Sequence, residues 1–451
     1  MMLRWKLAIR FFLNRASSWL AVPAVALCVF IVIVVLTVMN GLLTEFKGKN
    51  HDYVGDCVIT TDSLVGFPVE EAFLEDLRAQ PFIQAVSPIV YGVGLVTQPG
   101  AEWNIGVEFM GIDPVLYSAV TGFDDSLYYH RSDPAEAFRP AYAPGESGCV
   151  VGIDLVGGRR TMQGEYIHPE DPIPMRLILS SFPLTARGAL ARAGTDLVSS
   201  KTYYIADDSH TGLPRVDGAM VYLPLADARI LTGMDTPGPR TSSIHIRFVP
   251  GYPNERGVAQ VRDFWNQYIL NFQDSDQADL LGPVRVQSWI ENRRDRIAAV
   301  EKEQNMLIML FLMLGVITIF IVFVIFYMIV GHKTKDIGIL KSTGMSNLNI
   351  FEIFLNYASI IGILGALFGA AAGVIFLKNI NNIESWLFDK FHFQLWNRSI
   401  YAIGEIPHAI RMSIFMGVVL AAVLACLLGA MIPAIQAACK QPARVLQVNQ
   451  V

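Results

Sequence analysis

The sequence predicts a membrane protein: four transmembrane α-helices, with a large mixed α/β extracytoplasmic (periplasmic) domain inserted between helices 1 and 2. Three observations predict it. Of the 451 residues, 53% are hydrophobic and only 17% are charged, against roughly 25% charged in soluble proteins. The stretches 16–44, 304–332, 353–377 and 412–439 hold no Lys, Arg, Asp or Glu. Each exceeds the ~20 apolar residues that cross ~30 Å of hydrocarbon. Between the first two, residues 43–304 read as ordinary globular sequence, with 22 basic and 35 acidic residues and a net charge of −13. This composition excludes a soluble enzyme, a nucleic-acid binder and a disordered scaffold.

Residues 1–15 come first. In Leu3-Arg4-Trp5-Lys6-Leu7-Ala8-Ile9-Arg10-Phe11-Phe12, apolar side chains recur at helical spacing between cations, the pattern of a cytoplasmic helix lying in the headgroup layer. Transmembrane helix 1 spans 16–43. Its apolar core from Trp19 to Met39 is longer than a signal-peptide h-region of ~7–15 residues, and no small-x-small pattern follows it, so an uncleaved anchor is expected.

The inserted domain spans 44–303. Short β-rich runs occur at Cys57–Thr60, Ile89–Thr97, Val107–Met110, Cys149–Val151, Tyr203–Ile205, Ala219–Leu223 and Ser243–Phe248, with helical patterns at Val69–Ala79, Leu225–Thr232 and Glu255–Leu270. Two subdomains are expected, with the Pro/Gly/Ala-rich 132–148 as their boundary and part of 164–218 as an exposed loop. Helix 2 follows at 304–331, a cytoplasmic link at 332–346, helix 3 at 347–377, an outer loop at 378–411, helix 4 at 412–438 and a tail at 439–451. Short segments rich in Lys and Arg stay in the cytoplasm, whereas long domains translocate largely regardless of charge. The basic start, Lys333, Lys335 and Lys341 in the link, and Lys440 and Arg444 in the tail therefore place both termini inside and the large domain outside.

Catalytic signals are weak in the insert. No HExxH, CxxC, Gly-x-Ser-x-Gly or Walker pattern occurs, and His51, His130, His168, His210 and His245 are scattered without ligand spacing. Asp124-Asp125 and Asp207-Asp208 are adjacent carboxylates in turn-rich sequence, read as solvated loop residues ahead of acid/base pairs. Cys57 and Cys149 lie in an oxidising compartment on this topology, and whether they pair stays open. Two other places carry more. The link combines Ile337, Leu340 and Lys341 with a Gly344 stop, an amphipathic surface suited to docking a partner. On helix 3, Gly362, Gly365, Gly369 and Gly373 form a stripe of small residues that lets another helix approach closely, within or between subunits.

These residues also carry a resemblance. Lys335-Asp336-Ile337-Gly338-Ile339-Leu340-Lys341-Ser342-Thr343-Gly344-Met345 resembles the cytoplasmic loop of FtsX-like, MacB-type ABC transporter permeases. Pro433-Ala434-Ile435-Gln436-Ala437-Ala438, followed by Pro442-Ala443 and Leu446, is similar to their C-terminal ending, although Ile435 and Gln436 stand where basic residues are usual. Val38-Met39-Asn40-Gly41, Gly106-Val107-Glu108-Phe109-Met110-Gly111-Ile112-Asp113-Pro114 and Tyr401-Ala402-Ile403-Gly404-Glu405-Ile406-Pro407 resemble, in order, segments of the lipoprotein-releasing permeases LolC and LolE. A Gly-rich segment of that group survives only in part, as Gly152–Gly158 and then Gly164-Glu165.

The resemblance implies a permease without enzymatic activity of its own, paired with a second copy or a paralogue above a soluble ABC ATPase dimer. ATP and Mg would be held by that partner, and no metal or cofactor by this chain. Lys335, Asp336, Ile337, Gly338, Ile339, Leu340, Lys341, Gly344 and Met345 would couple to the ATPase. The substrate class would be lipoproteins, passed from the inner membrane to a periplasmic chaperone. Three acyl chains in water would cost tens of kcal/mol at ~0.8 kcal/mol per CH₂, so a shielded apolar path is expected. Val35, Met39, Leu42, Leu43 and Phe46 on helix 1, and Met306, Leu307, Met309 and Leu310 on helix 2, are candidates to line it. Apart from Glu352 the spans hold no ionisable acid or base, which speaks against an ion-coupled carrier. A MacB-type exporter and an FtsX-type subunit controlling a cell-wall hydrolase are the alternatives.

Overall fold

The computed structural model describes residues 16–100, 104–158, 166–169, 172, 174–191, 198–236, 238–272, 278–393 and 406–441. The expected interfacial helix over 1–15 and the ending beyond Gln441 lie outside the described residues, as do Gly164-Glu165 and Tyr401–Glu405. In chain order the helices used below are α1 (Ala16–Val54), α2 (Glu71–Arg78), α3 (Pro114–Val120), α4 (Leu225–Thr232), α5 (Asn254–Leu270), α6 (Arg294–His332), α7 (Thr334–Ser342), α8 (Asn347–Lys378), α9 (Ile380–Phe391) and α10 (Met412–Cys439). The strands are β1 (Cys57–Thr60), β2 (Phe67–Pro68), β3 (Ile83–Thr97), β4 (Asn104–Ile112), β5 (Gly148–Gly152), β6 (Arg176–Ser181), β7 (Ser199–Ser209), β8 (Met220–Pro224), β9 (Arg240–Thr241), β10 (Ser243–Phe248) and β11 (Arg285–Ser288). The chain divides into two compact units, one of membrane-helix sequence and one built on Glu45–Ala298.

In the first unit α1, α6, α8 and α10 are long and apolar enough to cross a membrane. Val25, Val29 and Ile33 of α1, Val322 and Phe326 of α6, Tyr357, Ile361 and Ala366 of α8, and Cys426 and Ala430 of α10 share one core. α1 and α6 are 39 residues each, roughly 58 Å at 1.5 Å per residue, nearly twice the ~30 Å of hydrocarbon.

In the second unit β3 is the backbone of the design. Its first part pairs with β10, from Ile83↔Phe248 to Ile89↔Ser243, and its second with β4, from Val90↔Gly111 to Thr97↔Asn104. One side is an antiparallel sheet in the order β11-β1-β10-β3. Strand alternation sends Cys57 and Ile59 of β1, and Ile244, Ile246 and Phe248 of β10, to one face. There α2 contributes Phe73, Leu74 and Leu77, and α5 contributes Val258, Val261 and Trp265 at helical spacing. On the other side β6 pairs with both β7 and Gly94–Thr97 of β3, so the order β3-β4-β8-β5-β7-β6 closes on itself. Gly94 makes this close approach possible: a Cβ there would sit 2.7 Å from the Ser180 carbonyl oxygen of β6.

Three clusters of buried apolar residues result, within one compact unit. Ala137 and Phe138, in the segment expected as a boundary, pack into the cluster that also holds Val58, Ile89, Met110, Val150 and Tyr222. A single strand serves both sides, which a composition shift cannot reveal. The segment 164–218, expected to be partly loop, supplies β6 and β7.

Candidate functional site

The glycine stripe of α8 is the best-defined packing device. A Cβ on Gly365 would sit 2.8 Å from Val25 Cβ, one on Gly369 would sit 2.3 Å from the Ala26 carbonyl oxygen, and one on Gly373 would sit 3.3 Å from Ile33 Cγ2. Gly362 faces α10 instead, 3.1 Å from Cys426 Cβ. All four glycines are buried. Within this chain, then, the stripe seats α1 and α10 against α8 by direct backbone approach, the general route to helix association in lipid.

The link after α6 forms a short helix, α7, ended by Gly344 at φ +90°, a left-handed conformation that glycine adopts without steric cost. Its docking face is narrower than the sequence reading. Ile337 and Gly338 are buried, Ile337 in the core of the span bundle, where Met345 also packs. Lys341 Nζ donates to the carbonyls of Ala438 at 2.6 Å and Lys440 at 2.7 Å, the orphan acceptors at the end of α10. Lys440 Nζ donates in return to Thr334 Oγ1 at 2.8 Å. These pairs clamp α7 to α10. What remains for a partner is Lys335, Ile339 and Gly344, all exposed, with Asp336 and Leu340 partly so. Leu348, 73% exposed just beyond the turn, joins this face and escaped the sequence reading.

An apolar cavity of about 240 Å³ opens between α1, α6 and α10. Val29, Val32 and Leu36 line it from α1, Phe311, Leu312 and Gly315 from α6, and Gly417, Ala421 and Ala425 from α10. Its polar groups are Thr318, whose hydroxyl donates to the Leu314 carbonyl at 2.9 Å, and the Cys28 thiol 3.2 Å from that hydroxyl. None of the residues expected to line an acyl path borders it. Leu43 is buried, and Phe46 packs against the Tyr53 and Trp289 core of the inserted unit. Those two are therefore structural. Met306, Met309 and Leu310 are more than half exposed, while Val35, Met39, Leu42 and Leu307 are half-buried. The overlooked signal was Gly417, Ala421 and Ala425, small residues four apart that hollow one face of α10.

The inserted unit shows no catalytic constellation among the described residues, and no group of three potential metal ligands. Asp207 is not solvated, contrary to expectation. Its carboxylate is fully buried and accepts the backbone N–H groups of Tyr128, Tyr129 and His130 at 3.2, 3.0 and 2.7 Å. Asp208 meets His168 Nε2 at 3.0 Å, and His168 stacks on Tyr128. This adjacent pair pins two loops to β7. Cys57 and Cys149 are free thiols buried in separate cores.

Comparison with known proteins fits this geometry. Residues 18–264 match the MacB-like periplasmic core domain. The chain belongs to that family. Residues 308–442 match the FtsX-like permease C-terminal family, so a permease module carries the MacB-like core as an insert. The "Lipoprotein-releasing system transmembrane protein LolC" of Neisseria meningitidis is 23% identical over 435 residues, covering 95% of this chain and 94% of the relative. The protein of the same description from Haemophilus influenzae is 23% identical, covering 85% of this chain and 83% of the relative. The crystal structure of the periplasmic region of MacB from Actinobacillus actinomycetemcomitans is 12% identical with a TM-score of 0.31, covering 55% of this chain and 95% of that one. The two relatives described as LolC are thus similar to this chain over 95% and 85% of its length.

Proposed function

We propose that this chain is the permease subunit of an ABC transporter that extracts lipoproteins from the outer leaflet of the bacterial inner membrane and passes them to a periplasmic chaperone. A separate ATPase dimer binds ATP and Mg²⁺ and seats on Lys335, Ile339 and Leu348. A second copy or a paralogue completes the permease. The observation that carries this reading is the cavity between α1, α6 and α10, apolar and without acid or base. With both termini cytoplasmic, its α6 and α10 lining lies mostly in the outer half of those spans and its α1 lining straddles the middle, within reach of acyl chains of the outer leaflet. The full-length similarity to proteins described as LolC supports the same substrate class. ATP-driven movement of α7 reaches α10 through the Lys341 clamp. The length of α1 and α6 beyond the hydrocarbon lets them act as levers rather than channel walls.

A second reading, export of a small molecule or peptide, draws on the MacB-like core. A third is control of a cell-wall hydrolase, as in FtsX-type subunits. Reconstitution of the chain with its co-expressed partner subunits and a triacylated lipoprotein in liposomes decides among them. The expected result is ATP-dependent appearance of the lipoprotein in a soluble chaperone complex. An active ATPase without release overturns the lipoprotein reading.

A further inference from the structure

The inserted unit contains a second cavity, of about 170 Å³, that has no part in the transport argument. Its chemistry is cationic. Arg215, Arg293 and Arg296 line it, with Glu108 as the one carboxylate. Glu108 already receives Arg215 at 2.7 Å. Arg293 lies over the Tyr53 ring, 4.6 Å from its centroid, and neither Arg293 nor Arg296 has a carboxylate within salt-bridge distance among the described residues. Buried unpaired charges are costly and are rarely retained without a counter-ion.

A second observation is independent of charge. Ser243 Oγ, His245 Nδ1 and Arg293 Nε, on three residues that line this cavity, are buried atoms with no hydrogen-bond partner among the described residues. Ser243 and His245 are 1% exposed and Arg293 8%. The great majority of buried polar atoms are satisfied, and three orphans on residues around one hollow, beside two guanidiniums, call for a polar guest. Burial, then the Arg293 guanidinium, lowers Arg296 below its ordinary value, as two guanidiniums beside one hollow do.

We propose that this cavity binds a phosphate oxyanion, held by the planar donor forks of Arg293 and Arg296 and by the Ser243 hydroxyl. Arginine forks match phosphate bidentately, and a hydroxyl supplies the single donor that a third phosphate oxygen needs. The phosphate comes either from solution or from the headgroup of an anionic phospholipid. The site is separate from the apolar cavity and does not depend on lipoprotein release.

The test uses the full chain in detergent micelles, titrated with inorganic phosphate against chloride at matched ionic strength, with thermal stability as the readout. A parallel arm reconstitutes it in nanodiscs of phosphatidylglycerol or of phosphatidylcholine and counts retained lipids by native mass spectrometry. Saturable stabilisation by phosphate identifies a free ion, and selective retention of phosphatidylglycerol identifies a headgroup. Arg296→Gln and Ser243→Ala should each weaken whichever response occurs at least tenfold, whereas Arg139→Gln, on an exposed ion pair, should leave it unchanged. Arg293→Gln is the harsher variant because it also removes the Tyr53 contact, so Arg296→Gln and Ser243→Ala decide. A response in neither arm, or one that survives both variants, overturns the proposal and leaves a water-filled cavity only.

Discussion

Alanine at each glycine of the α8 stripe should produce effects that differ in size and in sign. At Gly369 the new methyl would lie 2.3 Å from the Ala26 carbonyl oxygen. Ordinary contact begins near 3.4 Å, so the helices must part by about 1 Å, and a backbone atom cannot rotate aside. Overpacking of this kind costs about 1–3 kcal/mol, offset by about 1 kcal/mol of helix propensity gained over glycine. A clash with backbone sits at the upper end of that range, so Gly369→Ala should lose up to about 2 kcal/mol. At Gly365 the nearest atoms are Val25 Cβ and Cγ1 at 2.8 Å; the Cβ moves only with its backbone, but the overlap is smaller than at Gly369, and the net loss should be about 1 kcal/mol or less. At Gly373 the nearest atom is Ile33 Cγ2 at 3.3 Å, so propensity should win and the variant should be neutral or up to about 1 kcal/mol more stable. The assay is denaturation of the purified chain by sodium dodecyl sulfate in mixed micelles, followed by loss of helical circular dichroism. Equal losses at all three positions, or the largest at Gly373, would refute the packing of α8 on α1 described above.

Four further outcomes follow from named contacts. Burial, with Arg293 beside it, pulls His245 down to about 3 from an ordinary 6.5. Stability is thus intact above pH 6.5 and falls as pH drops toward 3, because only the unfolded chain takes up the proton. The loss at pH 5 should be about 2 kcal/mol, read as faster hydrogen exchange in β10 in phosphate-free buffer and abolished by His245→Phe. Lys341→Met should remove the clamp on the Ala438 and Lys440 carbonyls at a cost of about 1–2 kcal/mol, seen as lost amide protection at the end of α10 and as ATP hydrolysis uncoupled from release. Ala421→Phe should fill the apolar cavity and abolish release while the purified complex stays assembled and hydrolyses ATP. Asp207→Ala should strand the N–H groups of Tyr128, Tyr129 and His130 at about 3 kcal/mol, with new proteolytic cleavage near residues 126–131.

Much of the architecture was legible because lipid imposes a one-dimensional rule. A long charge-free run is readable without knowing its neighbours, since backbone groups in hydrocarbon must be satisfied within the segment. Strands with clean alternation were equally readable, and Cys57–Thr60 and Ser243–Phe248 coincide with β1 and β10. What escaped was whatever depends on distant partners. β6, Arg176–Ser181, sits in turn-rich sequence and exists because β3 and β7 lie either side of it. The role of 132–148 was equally invisible, because the cluster it joins draws on Val58, Ile89 and Tyr222, far away in sequence.

The candidate sites divide along the same physical line. The α8 stripe was readable because glycine at helical spacing has a destabilising effect that only close approach offsets, although which helix approaches was not. The α7 loop was readable as a motif, but motif matching treats all its residues alike, whereas packing does not. Ile337 serves the core, Lys341 holds α10 and Ile339 faces outward. Large apolar residues late in α1 and early in the apolar run of α6 drew attention because they are bulky, yet bulk fills space. A cavity is made where side chains are small, at Gly315, Gly417, Ala421 and Ala425. An apolar binding site in a membrane protein is therefore better sought in sequence as small residues facing one another across helices than as the greasiest positions.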